Sequence, residues 1–140
     1  MQEIQEILEF LKNRGYKIEK VFKKFEVNGE EFEVSEYVAS FDGVKYVLVR
    51  REEDNRPLTP LERFAVALAR LLDVKGFAVL SNGEELLCLR VDNGERVSIE
   101  QIPEAKEAEV KSFDFEEEKE KRIVVAMGML RCPCKKGCRI

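Results

Sequence analysis

Asn28-Gly29, Asp42-Gly43, Asn82-Gly83 and Asn93-Gly94 punctuate this chain. Each pair favours the left-handed backbone of a tight hairpin turn. Flanked by stretches rich in β-branched and aromatic residues, they require antiparallel strand pairs and exclude an all-α fold. Before the first turn, YKIEKVFKKFEV sets Ile18, Val21, Phe22, Phe25 and Val27 among lysines and glutamates, an imperfect alternation that favours a strand. After it, residues 31–41 alternate well, and VKYVLVRRE follows Asp42-Gly43 as a continuous apolar run suited to burial on both faces. The three segments predict an antiparallel meander centred on the strand that ends at Arg50.

Helical spacing brackets these strands, which also excludes an all-β fold. Ile4, Ile7, Leu8 and Leu11 share one helical face over residues 2–14, with Gly15 placed to stop the helix. Thr59, Pro60 and Glu62 read as a capping box with proline in the first turn, leading into the stripe Leu61, Phe64, Ala65, Leu68 and Leu72. Residues 77–80 and 85–91 are strands joined across Asn82-Gly83, and Ile99 to Lys111 is polar and irregular. Asp114 and Glu117 open a last helix carrying the pairs Glu117 to Lys121 and Glu118 to Arg122, with Met127 and Met129 further along as core or partner surface. The expectation is one α/β (α+β) domain over residues 1–130, with a mixed sheet of about five strands flanked by helices, and a basic cysteine-rich tail over 131–140.

The chain contains no histidine and no tryptophan, which removes Ser-His-Asp and Cys-His chemistry and every histidine metal site. A net charge of -4 supplies no global field for phosphates, so nucleic-acid binding would need local basic stretches. Charged residues make up 37% of the chain, a bias toward a thermophilic source. No apolar stretch reaches membrane-span length, and the N-terminus is an acidic amphipathic helix rather than a signal peptide, so the expected location is cytoplasmic without a membrane partner.

Ser35-Glu36-Tyr37-Val38, the Asp42-Gly43 turn, Arg50-Arg51-Glu52 and the segment LLDVKGFAVLSNGEELLCL together resemble the N-terminal domain of type I restriction enzyme R subunits. That family is a PD-(D/E)xK nuclease branch with a restriction-endonuclease-like core. Its Pro-Asp-Tyr-Val segment corresponds to residues 35–38, and its Glu-x-Lys strand end to residues 50–52. The stretch FAVLSNGEE is the most specific match, and the resemblance covers rather less than half the chain. It implies a restriction-endonuclease-like core and a DNA-associated role, with Mg²⁺ held by two carboxylates at adjacent strand ends and a lysine serving the attacking water.

The charges at residues 50–52 are inverted relative to that pattern. Glu36 can serve as one carboxylate, but a guanidinium accepts no coordination bond, so Arg50 cannot replace the other. Glu52 stands where the lysine belongs. On an alternating strand Arg50 and Glu52 point to one face, where they and Glu36 can satisfy one another as an ion-pair cluster. The sharper alternative is a rearranged Mg²⁺ site with Glu36 and Glu52 as ligands, Glu9 assisting, and Lys45 or Arg50 near the phosphate. Lys20 and Lys24, with Phe22 between them on one strand face, and Arg50 with Arg51 are the candidate nucleic-acid contacts.

Cys132, Cys134 and Cys138 fall within the last nine residues, beside Lys135, Lys136 and Arg139, which favour thiolates. The C-x-C-x3-C spacing matches neither a zinc ribbon nor a common ferredoxin pattern. Zn²⁺ or an iron-sulfur cluster, a disulfide, and free thiols are all open. The sequence reading is a stand-alone restriction-endonuclease-like protein with a degenerate or rearranged nuclease site. Its rival is a non-enzymatic module that binds metal or a protein partner through the tail and last helix, and a homodimer is also open.

Overall fold

The computed structural model describes residues 3–127 in full and the backbone at 128, 129, 138 and 139. The chain runs α1 (Ile4–Asn13), β1 (Lys17–Val27), β2 (Glu30–Phe41), β3 (Val44–Arg51), α2 (Glu62–Leu71), β4 (Phe77–Ser81), β5 (Leu86–Arg90), β6 (Arg96–Val97), α3 (Glu117–Met129) and β7 (Cys138–Arg139). Strands β1 to β6 lie in sequence order in one mixed sheet, and β7 pairs with β2 in parallel. The β1–β2, β2–β3, β4–β5 and β5–β6 pairs are antiparallel, whereas β3 and β4 are parallel.

Local chemistry accounts for the hairpins. Asn28 and Gly29 adopt φ of 53° and 82°, and Asp42 and Gly43 adopt 48° and 78°, as two-residue turns matched to strand twist require. Gly15 stops α1 at φ 95°. The meander expected from these turns is present, but its middle strand is β2. Strand β3 becomes central only because β4 joins its other edge, and that parallel pairing needs the crossover through α2.

The pleat sorts side chains into two core layers. Val38, Leu48, Ala78 and Leu89 form a cross-strand row facing Phe64, Leu68 and Leu72. On the opposite face Val49, Val79 and Cys88 meet Ile7, Leu8 and Leu11 of α1, with Ile99 and Ile102 from the segment after β6. That segment, expected to be polar and irregular, contains two short 3₁₀ turns and contributes those two buried isoleucines.

Two helix starts differ from expectation. Thr59 lies within a 3₁₀ turn, Thr59–Leu61, and neither that turn nor α2 has a side-chain cap at its N-cap residue, Leu58 or Leu61. Arg96 of β6 instead donates to Thr59 Oγ1 at 3.3 Å and to Glu62 Oε2 at 3.0 Å, drawing both expected capping oxygens onto one guanidinium. Helix α3 begins at Glu117 rather than Asp114, with the Glu120 amide donating to the Glu116 carbonyl at 3.0 Å, while Phe113 packs against the core ahead of it. Lys121 pairs with both Glu117, at 3.9 Å, and Glu118, at 3.2 Å. Among the described residues no helix is long and apolar enough to cross a membrane.

Candidate functional site

The carboxyl ends of the parallel strands β3 and β4 bring the motif positions together. Tyr37 pairs with Val49, and one step further toward the strand end Glu36 and Arg50 stand on the α2 side. Arg50 is in register with Leu80, which pairs with Leu87, so a guanidinium occupies a row that is otherwise core. The Glu52 amide donates to the Ser81 carbonyl at 2.7 Å, which carries the main chain one residue past β3 and fixes the Glu52 side chain beside Arg50.

Arg50 Nε donates to Glu52 Oε2 at 2.7 Å, and Arg50 Nη1 donates to Glu36 Oε2. Glu36, Arg50 and Glu52 are 6%, 6% and 2% exposed, so these are buried ion pairs rather than surface ones. The Phe64 ring lies 5.0 Å from the Arg50 guanidinium carbon, adding a cation–π contact from α2. Chemically this is a fixed cation shared between two carboxylates. A divalent ion does not fit between Glu36 and Glu52 as they stand, because the guanidinium spans the gap, engages an oxygen of each and repels a metal.

Comparison with family models, curated proteins and solved structures finds no match. The meaning of the cluster therefore rests on its own geometry.

The remaining sequence candidates are dispersed. Lys45 is five residues back along β3, about 16 Å from Arg50. Glu9 is on the outer face of α1, 3.6 Å from Lys12 and 63% exposed. Neither reaches the cluster, so the arrangement with Glu9 and Lys45 beside Glu36 and Glu52 is not assembled. Arg51 points to the opposite sheet face, donates to the Glu52 carbonyl, and pairs with Asp54 at 2.6 Å and Glu3 at 3.3 Å. Lys20 and Lys24 stand with Phe22 on the α1 side of β1, as the alternation predicts. Cys132 and Cys134 lie outside the described residues, as does the side chain of Cys138. Among the described residues no cluster of three or more metal-ligating side chains occurs.

Two polar centres escaped the sequence reading. Asn82 is 3% exposed; its Oδ1 accepts from the amides of Glu84 and Glu85 at 3.0 and 2.7 Å, and its Nδ2 donates to the Arg56 carbonyl at 2.7 Å. It ties the β4–β5 turn to the loop after β3. Glu120 of α3 is 1% exposed and receives Arg63 through two bonds of 2.8 and 2.6 Å and Arg70 through one of 3.1 Å. Burial pushes the Glu120 carboxyl up, but the two guanidiniums outweigh it and hold the group below the ordinary carboxylate range. The signals were present: Arg63 and Arg70 are two turns apart on α2, and Glu120 is one turn from buried Val124. The acidic run around Glu120 hid its separate role.

Proposed function

We propose that this chain is a restriction-endonuclease-like, nucleic-acid-associated domain whose metal-binding positions have been taken over by an internal ion-pair cluster. One observation carries the reading: the buried Arg50 guanidinium bridges Glu36, within β2, and Glu52, just past the end of β3, where the nuclease motif calls for two carboxylates around Mg²⁺. The fixed Arg50 guanidinium offers no open coordination position and generates no metal-bound nucleophile. The cluster instead welds β2, β3 and α2 into a rigid end of the sheet. The mixed sheet with helices on both faces supports the same reading, as does the placement of Glu36 and Arg50 on neighbouring strands.

The test is incubation of labelled single-stranded and duplex DNA with Mg²⁺ or Mn²⁺, using the wild type, Glu36→Ala and Glu52→Ala. No metal-dependent cutting is expected, and calorimetric titration with Mn²⁺ should show no binding that either substitution removes. Cutting by the wild type that both substitutions abolish would overturn the reading and restore a rearranged nuclease site.

A further inference from the structure

Asn-Gly occurs three times, at Asn28-Gly29, Asn82-Gly83 and Asn93-Gly94. In such a pair the glycine carries no side chain to shield its amide nitrogen, which is held within reach of the asparagine carboxamide for an intramolecular attack. The fold treats the three pairs differently. Asn82 is buried, its carboxamide holds the three bonds described above, and the Gly83 amide donates to Ser81 Oγ at 3.1 Å. Asn93 Oδ1 accepts from the Glu95 amide at 2.9 Å, and the Gly94 amide donates to the Arg90 carbonyl at 2.9 Å. Asn28 is exposed at the tip of the β1–β2 hairpin, and among the described residues no hydrogen bond engages its carboxamide or the Gly29 amide. A Cβ on Gly29 would meet no atom within 4 Å, so the carboxamide has room to swing across it. The turn is closed by the Val27–Glu30 pair, the last of the β1–β2 ladder, and fraying of a ladder end is among the least costly openings a fold makes.

We infer that Asn28-Gly29 is a site of spontaneous deamidation, converting to aspartate and isoaspartate in the folded protein while Asn82 and Asn93 keep their amides. Water or hydroxide takes the Gly29 amide proton as the nitrogen attacks Asn28 Cγ. The new carbon–nitrogen bond closes a cyclic imide, the Cγ–Nδ2 bond breaks, and the side-chain nitrogen leaves as ammonia with a proton returned from solvent. Water then opens the ring. Addition at Cγ breaks its bond to the Gly29 nitrogen and gives aspartate, whereas addition at the main-chain carbonyl carbon gives isoaspartate, whose main chain runs on through Cβ and Cγ. Both products bear on the hairpin. Asn28 and Gly29 hold the positive φ of a two-residue turn, and isoaspartate lengthens that turn by a main-chain atom. Either product also sets a new carboxylate beside Glu26, Glu30 and Glu31, where like charges already face one another across the strands. The other exposed turn, Asp42-Gly43, starts from a carboxyl that is ionised at neutral pH and unreactive in that form, and its cyclisation and reopening leave the mass unchanged.

The test incubates the full chain at mildly alkaline pH, native and held unfolded in guanidinium chloride, and follows each Asn-Gly peptide by mass spectrometry after digestion. Conversion of amide to acid raises the peptide mass, and isoaspartyl methyltransferase labelling of the separated peptides counts isoaspartate. In the native protein Asn28 should convert within about 10-fold of its unfolded rate, because only the hairpin end has to fray. Asn82 and Asn93 should convert at least about 10-fold more slowly than Asn28, since each must first give up its hydrogen bonds. In denaturant the three rates should converge, as they must if the fold and not the local sequence sets the order. Asn28→Gly keeps a pair suited to the turn and should remove the native signal from that peptide. Native conversion of Asn28 no faster than that of Asn82 or Asn93, or slower than its unfolded rate by well over that margin, would overturn the inference. The same order of rates persisting in denaturant would overturn it too, by tracing the preference to sequence alone.

Discussion

Arg50 and Glu52, two residues apart on one strand, meet in the interior with Nε 2.7 Å from Oε2, and the same guanidinium reaches Glu36 on the neighbouring strand. Removing one member of such a buried set costs far more than removing all of it, because the charges left behind lose the counter-charge that offsets their burial. Arg50→Met should therefore destabilise the fold by about 3–5 kcal/mol. The combined Glu36→Leu, Arg50→Met and Glu52→Leu variant should fall within about 1 kcal/mol of wild type or exceed it. Urea denaturation of both variants at neutral pH checks this. Equal costs would mean that the three groups do not act as one unit.

Glu120 gives the fold a pH dependence of known sign. Its folded-state carboxyl titrates below the unfolded value of 4.5, so the bond to Arg63 and Arg70 stabilises fully above that value and is lost as pH falls through the folded pKa. Glu120→Gln should cost about 1–3 kcal/mol at neutral pH. The gap to wild type should shrink on acidification below 4.5. Denaturation midpoints measured across that range, for both proteins, decide it.

Gly83 has φ 92°, and a Cβ there would lie 2.7 Å from Arg51 Nη2 and 2.9 Å from Glu3 Oε1. Gly83→Ala should destabilise by about 1–2 kcal/mol, part backbone strain and part the clash. Arg51→Ala should relieve only the clash, so the double variant costs less than the sum of the singles. At Gly29, with φ 82° and no atom within 4 Å of its would-be Cβ, alanine should show the backbone part alone. A thermal-melt comparison of the four variants separates the two contributions.

Cys88 sits in β5 against α1, and burial, helped by the Glu100 charge, pushes its thiol up to about 12. It should resist iodoacetamide in the folded protein at about pH 8 and react once denaturant is added, since only the thiolate alkylates. Peptide mass spectrometry identifies the site. Rapid labelling of Cys88 in the native state would contradict the β5 register.

Turn chemistry made the hairpins legible, because Asn-Gly and Asp-Gly demand a positive φ whatever surrounds them. The stripes of α1 and α2 were legible for a similar reason: a helical period of apolar residues needs a sheet to cover it. The inverted charge at Arg50 and Glu52 could likewise be read as an ion-pair cluster, since strand alternation alone places both on one face. Thr59 failed as a cap because a competing donor, Arg96, arrives from 37 residues away. No local pattern contains that information.

What the sequence by itself determined, then, are features whose causes lie within a few residues: turns, helix faces, strand alternation, and the charge pattern at the end of β3. The tertiary structure alone decided that β4 would join β3 in parallel and that Glu120 would find Arg63 and Arg70 across 57 and 50 residues. It also decided that Glu9 and Lys45 would stand apart from the cluster while Phe22 and Tyr37 would be left uncovered. Each outcome depends on which surfaces are buried together. That is a property of the whole packing and of the long-range loop closures it offsets, not of any segment.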